Sequence, residues 1–126
     1  MRASVIGAIA ALPFYLAIPA VGPQYSFSGF PRGSATPMPA GPFPRNCFPS
    51  MHLCWALLIF LNAKSRAWRI VAALYAVLTA VVTVASGEHY VVDIIAAVPF
   101  AFAVQCLAQY SRTESRVADV RGQFSE

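Results

Sequence analysis

Charged residues are scarce in this sequence. Among its 126 residues, 9 are lysine or arginine and 5 are aspartate or glutamate, so that charged residues make up 11% of the chain. Hydrophobic residues make up 58%, and the mean hydropathy is +0.60. The interior of a soluble domain of this length would absorb only part of that apolar surface. The composition therefore argues against an ordinary soluble globular domain and predicts a protein that is solvated by lipid.

The sequence also lacks the patterns of three common kinds of site. No basic run reaches five residues and no aromatic residues interleave with basic ones, so the net charge of +4 does not indicate a nucleic-acid surface. The three cysteines, Cys47, Cys54 and Cys106, are odd in number and have no CxxC spacing. Cys54 and Cys106 lie in apolar runs, where a thiol behaves as a small hydrophobic group. We therefore expect neither a disulfide framework nor a metal site.

Four apolar stretches divide the chain. A lone strand cannot satisfy its backbone hydrogen bonds in hydrocarbon, so each stretch is predicted to be a helix. The predicted fold is an all-α integral membrane helical bundle with about four transmembrane helices. A spanning helix needs about 17 to 25 residues, which the second stretch reaches only by starting at Pro49 and by extending Lys64 and Arg66 to the headgroups. The stretches are residues 5–21, 51–63, 70–86 and 90–110.

The segment between the first two stretches, residues 22–48, is rich in proline and glycine. It contains six of the ten prolines and four of the seven glycines, so we predict an irregular outer loop. Such a loop is either a functional lid or a flexible connector. Residues 1–110, including this loop, are predicted to form the membrane domain, and the polar residues 111–126 a cytoplasmic tail.

The positions of the basic residues predict the orientation. If four spans alternate, seven of the nine basic residues fall on one side, which the positive-inside rule makes cytoplasmic. Arg32, Arg45 and the turn at Gly87 then face outward, together with the loop and the start of the second span. Alternatively, residues 1–20 form a cleaved signal peptide, which would leave the later spans in the same orientation. Both interpretations predict an integral protein of the cell membrane.

The only two histidines fall at the same predicted membrane face. His52 opens the second span and His89 lies between the third and the fourth, so the two imidazoles can share one site. Asp93 follows His89 by one helical turn, and a carboxylate inside an apolar span is costly unless it has a partner. A carboxylate that holds one imidazole N–H leaves the other nitrogen free as a nucleophile, which suits attack on phosphorus. The alternative is a purely structural hydrogen bond between helices.

Ser50 immediately precedes the second apolar stretch and is a predicted N-cap. Free backbone N–H groups at a helix start, together with the serine hydroxyl, form an anion site. His52 lies within the first turn of the same helix and is positioned to give a proton to a leaving alkoxide. We therefore predict an anion site at the start of this helix.

These segments resemble the type 2 phosphatidic acid phosphatase superfamily. Residues 49–52, Pro-Ser-Met-His, are similar to its second signature, Pro-Ser-Gly-His, and His89 with Asp93 matches the His-x-x-x-Asp that ends its third. The surrounding residues look more like the inositol phosphorylceramide synthase-type branch, an inositolphosphotransferase, and the resemblance covers residues 17–102. It implies a membrane helical bundle with its site at the outer leaflet.

The resemblance also implies a mechanism. His89 would form a phosphohistidine, Asp93 would orient it, His52 would protonate the leaving group and Ser50 would bind phosphate. The implied activity is that of a phosphatase or phosphotransferase acting on a lipid phosphate, phospholipid or sphingolipid, with no metal and no other cofactor. Water as the second acceptor gives a phosphatase, and an alcohol such as inositol gives a transferase.

The sequence departs from the family's pattern in its cationic residues. The first signature, a lysine followed after six residues by Arg-Pro, is absent, and Thr83 stands where the family has an arginine before the third-signature histidine. Losing one donor to a charged transition state costs about 3 kcal/mol. Arg45 is the predicted substitute, with Arg32 as a further outward cation. The usual bundle has six spans, so the chain is expected to lack the first two, and the alternative function is a catalytically silent membrane protein.

Overall fold

The computed structural model describes residues 2–18, 20, 22, 23 and 47–123, with side chains through residue 116. Within these ranges the chain is helical and contains no strand, which confirms the predicted all-α class. Each predicted apolar stretch corresponds to one helix. The last helix continues well past residue 110, so the predicted boundary of the polar tail is not a helix end. The helices are α1 (Arg2–Ala17), α2 (Met51–Asn62), α3 (Arg66–Ala85) and α4 (Val91–Gln123).

Serine residues form the N-caps of α2 and α3. The Ser50 hydroxyl accepts a hydrogen bond from the backbone N–H of Leu53 at 3.5 Å, which confirms the predicted N-cap of α2. Ser65 caps α3 in the same way, accepting from the N–H of Trp68 at 3.2 Å. Each cap satisfies a backbone donor that has no partner inside the helix.

Helix α2 lies at the centre of the bundle. It packs against α1, α3 and α4, and α4 also packs against α1. The buried residues at these contacts are mostly small, which allows the helix backbones to approach closely. One buried cluster consists of Leu53, Ala56, Ala76 and Ala97, and the other of Cys54, Leu58, Ala101 and Val104.

Helices α3 and α4 carry apolar surface that the bundle leaves uncovered. The 20 residues of α3 and the segment Val91–Arg116 of α4 are long and apolar enough to cross a membrane, and most of their residues are not buried inside the protein. The other two helices are apolar but shorter, with 16 residues in α1 and 12 in α2. A 12-residue helix is about 18 Å long, whereas the hydrocarbon core is about 30 Å thick. The described part of the chain thus has two membrane-capable helices, and the predicted four spans are not confirmed.

Basic side chains gather at the end of the bundle opposite to the start of α2. Arg2 and Arg112 line a cavity of about 450 Å³ where α2 ends. Lys64, Arg66 and Arg69 line a second cavity of about 560 Å³ beside the junction of α2 and α3. These five cations lie at one end of the bundle, and their side of the membrane stays a prediction.

Candidate active site

A tight turn between α3 and α4 carries His89. Gly87 has a φ of 72°, a conformation that favours glycine because it has no Cβ. The backbone N–H groups of Glu88 and His89 both donate to the carbonyl oxygen of Thr83, at 3.1 Å each. His89 is therefore held before α4 begins, so it does not share a helical face with Asp93 as the spacing predicted.

His89 faces His52 across the gap between this turn and the start of α2. Nε2 of His89 lies 3.5 Å from Nδ1 of His52, and the ring centroids are 5.8 Å apart with an angle of 71° between the planes. His89 is 6% exposed, whereas His52 is exposed. The structure thus brings together the two imidazoles that the topology predicted, and it leaves His52 accessible.

Asp93 lies in the first turn of α4 on the other side of the His89 ring. Its carboxylate, 2% exposed, accepts a hydrogen bond from the backbone N–H of Tyr90 at 2.8 Å. Oδ2 of Asp93 is 3.5 Å from Nδ1 of His89. Nδ1 of His89 is buried and has no hydrogen-bond partner among the residues that the structure describes. Asp93 and His89 are therefore close together, as predicted, but the predicted hydrogen bond between them is not formed.

Cys47 belongs to the same cluster, which the sequence did not predict. Its thiol donates a hydrogen bond to the Asp93 carboxylate, and its sulfur, a ring nitrogen of His89 and an Asp93 oxygen lie within 4.8 Å of one another. The backbone N–H of Cys47 donates to the carbonyl oxygen of Ala20 at 3.0 Å, which fixes this position. Burial, then the negative charge of Asp93 and the hydrogen bond to it, raises the pKa of Cys47 to about 12.

Ser50 is fully buried beside this cluster. Its hydroxyl caps α2, and its backbone N–H lies 3.4 Å from the carbonyl oxygen of Asp93, which ties the start of α2 to the start of α4. The role predicted for its hydroxyl in phosphate binding stays a prediction. Arg45 and Arg32, the predicted outward cations, lie outside the described residues.

Thr83, which stands at the arginine position of the family pattern, is buried under the turn. Its hydroxyl donates to the carbonyl oxygen of Thr79 at 2.8 Å, within its own helix. Its contribution to the site is made through the backbone oxygen that accepts from Glu88 and His89. The residue therefore holds the turn and does not supply a charge.

The family model of the PAP2 superfamily matches residues 1–107, which is most of the chain, and the protein belongs to that superfamily. Members are generally phosphatases, so membership suggests phosphatase-type activity on phosphate esters. The comparison with curated proteins and the comparison with solved structures each found no match. Together with the two membrane-capable helices, the family supports a membrane protein.

Proposed function

We propose that the protein is a membrane lipid phosphatase or phosphotransferase that works through a phosphohistidine on Nε2 of His89. The observation that carries the proposal is the 3.5 Å approach of this nitrogen to Nδ1 of His52. The opposite ring nitrogen, Nδ1, is turned toward Asp93. Nε2 is therefore the nitrogen that can meet phosphorus, with a second titratable group beside it.

The reaction proceeds in two steps, which form and then break down the phosphohistidine. Nε2 of His89 attacks phosphorus, the bond between phosphorus and the alcohol oxygen breaks, and His52 gives its proton to the leaving alkoxide. Water or a second alcohol then attacks the phosphohistidine, His52 takes the proton of that acceptor, and the bond between nitrogen and phosphorus breaks. Asp93 stabilises the proton on Nδ1 of His89 throughout, which keeps Nε2 unprotonated between turnovers.

Substrate binding requires the two rings to separate. In an in-line displacement the nucleophile and the leaving oxygen lie on opposite sides of phosphorus. A nucleophile about 3 to 3.5 Å from phosphorus, followed by the leaving oxygen and a hydrogen bond of about 2.8 Å to the acid, does not fit into the observed 3.5 Å between nitrogens. His52 is the exposed partner, so we infer that its side chain swings outward when a phosphate group enters.

Two features support a lipid phosphate as the substrate, one for its lipid part and one for its phosphate group. Val91 and Val92 follow His89 by two and three residues and are each 59% exposed, so apolar surface adjoins the site. The free N–H groups at the start of α2 provide an anion site for the phosphate, with Ser50 as the cap and Arg45 as the proposed cation.

We also propose that this end of the bundle faces outward in the cell membrane, which is supported by the basic residues at the opposite end.

The proposal is tested by measuring phosphate release from a lipid phosphate by the purified full chain in detergent micelles with EDTA present. Removal of His89 or His52 is expected to lower the rate by at least a hundredfold, since general acid–base catalysis alone contributes about 10² to 10⁴. Gln109→Ala, at the opposite end of the bundle, is the control and is expected to keep the wild-type rate. A wild-type chain that releases no phosphate and forms no phosphohistidine would support the catalytically silent alternative.

The same assay shows whether water or an alcohol accepts the phosphoryl group in the second step. The resemblance to the inositol phosphorylceramide synthase-type branch predicts that an alcohol acceptor competes with water. Adding inositol to the lipid phosphate monoester should then yield an inositol phosphate ester at the expense of free phosphate. Release of free phosphate that inositol does not change would make the protein a phosphatase.

A further inference from the structure

A second chemical feature of the site is not used by phosphoryl transfer. The proposed reaction uses no group of Cys47, whose thiol interacts with the Asp93 carboxylate. Together with a ring nitrogen of His89 it completes a group of three different ligand types, all buried and within 4.8 Å of one another. Thiol, imidazole and carboxylate are the side chains that bind Zn²⁺ in proteins.

The orphaned nitrogen of His89 points to a ligand in this group. Nδ1 is buried, has no hydrogen-bond partner among the described residues, and lies 3.5 Å from Oδ2 of Asp93. Unpaired buried nitrogens are rare because each costs about 1 to 3 kcal/mol. Two ligands of a tetrahedral zinc ion, at about 2.0 to 2.1 Å from the metal, lie about 3.3 Å apart, which is close to the observed separation.

The charges of the three groups also suit a divalent cation. A buried dication needs compensating negative charge, and a Cys47 thiolate with the Asp93 carboxylate supplies two units. The thiolate selects a thiophilic ion over Mg²⁺ or Ca²⁺, which prefer oxygen ligands. Bringing the sulfur to about 3.6 Å from the other ligands needs a closure of at most about 1 Å.

We propose that Cys47, Asp93 and Nδ1 of His89 form a binding site for a thiophilic divalent cation such as Zn²⁺, and that occupation of this site inhibits phosphoryl transfer. On binding, the Cys47 thiol loses its proton to solvent, the proton on Nδ1 of His89 is exchanged through solvent to Nε2, and the metal forms bonds to sulfur, to a carboxylate oxygen and to the freed Nδ1. The inhibitory part rests on the proposed function. A dication on Nδ1 withdraws electrons from the ring and occupies Asp93, so Nε2 becomes a poorer nucleophile.

The binding part is tested with Co²⁺, a spectroscopic substitute for Zn²⁺. The purified full chain in detergent micelles is titrated with Co²⁺ under reducing, oxygen-free conditions, and its absorption is recorded. We expect one ion per chain, a band from thiolate-to-cobalt charge transfer, tetrahedral ligand-field bands, and displacement of both by Zn²⁺. Cys47→Ala should abolish the charge-transfer band, whereas Cys106→Ser, which changes an exposed cysteine, should retain it.

The wild-type spectrum keeps the test valid if Cys47→Ala fails to fold. Absence of a thiolate band in the wild-type titration would overturn the proposal, as would a band that survives Cys47→Ala in a protein with an unchanged helical circular dichroism spectrum. Alkylation continued until Cys47 of the metal-free protein is labelled, followed by peptide mapping, gives a second measurement, because Zn²⁺ should protect Cys47 over the same period and leave Cys106 reactive. Equal labelling of Cys47 with and without Zn²⁺ would contradict the site.

Inhibition is measured separately, as the ratio of each variant's activity with and without Zn²⁺. The rate of the wild type should fall at least tenfold at saturating Zn²⁺ and be restored by EDTA. In Cys47→Ala the ratio of the rates with and without Zn²⁺ should approach one. An unchanged wild-type rate at a Zn²⁺ concentration that saturates the cobalt-defined site would remove the inhibitory role. An inactive wild type that still shows the cobalt spectrum would reject the proposed function alone.

Discussion

Nε2 of His89 lies 3.5 Å from Nδ1 of His52, although 37 residues separate the two histidines along the chain. Backbone contacts position the segments that carry the two rings. Thr83 holds the turn that carries His89, and the N–H of Ser50 lies 3.4 Å from the carbonyl oxygen of Asp93, joining the start of α2 to the start of α4. Changes in these backbone contacts should therefore affect activity without altering any catalytic side chain.

Gly22→Ala is expected to displace the turn that carries His89. A Cβ at Gly22 would lie 2.8 Å from the carbonyl oxygen of Gly87 and would also collide with that of Glu88. Since both obstacles are backbone atoms, the turn itself must shift, and overpacking of this kind costs about 1 to 3 kcal/mol. The free energy of unfolding in mixed micelles and the rate of phosphate release should both fall.

Gly7→Ala is the matched control for that change. Its added Cβ would lie 3.5 Å from Cγ1 of Val104, which is an ordinary van der Waals contact between α1 and α4. Because alanine favours a helix over glycine by up to about 1 kcal/mol, this variant should be as stable as the wild type or more stable. Equal losses in the two variants would contradict the role of Gly22.

Thr83→Val should leave activity nearly unchanged. The contacts that hold Glu88 and His89 go to the Thr83 carbonyl oxygen, which valine retains, and the lost hydroxyl bonds only within its own helix. We expect a change in unfolding free energy of about 1 kcal/mol or less. A loss of phosphate release larger than tenfold, with the fold intact, would show that the hydroxyl acts on the substrate.

Asn62 and Gln105 join α2 to α4 at the end of the bundle far from the histidines. Their side-chain amides exchange two hydrogen bonds, of 2.9 and 3.2 Å. Such interhelical bonds contribute about 0.6 kcal/mol on average in membrane proteins, so a double-mutant cycle with alanine at both positions should give a coupling of about 0.5 to 1.5 kcal/mol. Strictly additive losses would mean that the pair does not stabilise the helix contact.

Cys47 should react slowly with iodoacetamide in the folded protein. Burial and the Asp93 carboxylate raise its pKa from the ordinary 9.0 to about 12, so the thiol stays protonated near neutral pH. Because only the thiolate reacts, its alkylation rate at pH 8 should be roughly a hundredfold to a thousandfold below that of the denatured chain. The rate should keep rising through pH 9 and 10, and a plateau near pH 9 would contradict the raised pKa.

The sequence allowed the helices and the meeting of the histidines to be predicted, because both follow from apolar runs and from alternation between membrane faces. It did not reveal Cys47 as a neighbour of Asp93. That contact depends on how the chain enters α2 after a segment without periodicity, and one cysteine three residues before Ser50 carries no spacing signal. The relation of His89 to Asp93 was predicted as a helical one, whereas the hydrogen bonds to Thr83 hold His89 outside the helix.

The number of spans could not be predicted from hydropathy alone. Helix α2 begins at the Ser50 cap and ends at Asn62, so its length is set by local capping and not by the thickness of a bilayer. Arg45 illustrates a different limit of sequence reasoning. Its predicted role rests only on its nearness in the chain to the start of α2, and no spacing rule fixes the position of a loop cation.

The most direct test of the central claim is the chemical identity of the phosphorylated group. His52→Ala is incubated with p-nitrophenyl phosphate, whose leaving group needs no protonation, and the protein is quenched in base, digested and examined by mass spectrometry and ³¹P nuclear magnetic resonance. Without His52 to activate water, phosphohistidine should accumulate on Nε2 of His89, and His89→Ala should carry none. Phosphate on Nδ1, on another residue, or on no residue while p-nitrophenol is released would contradict the account.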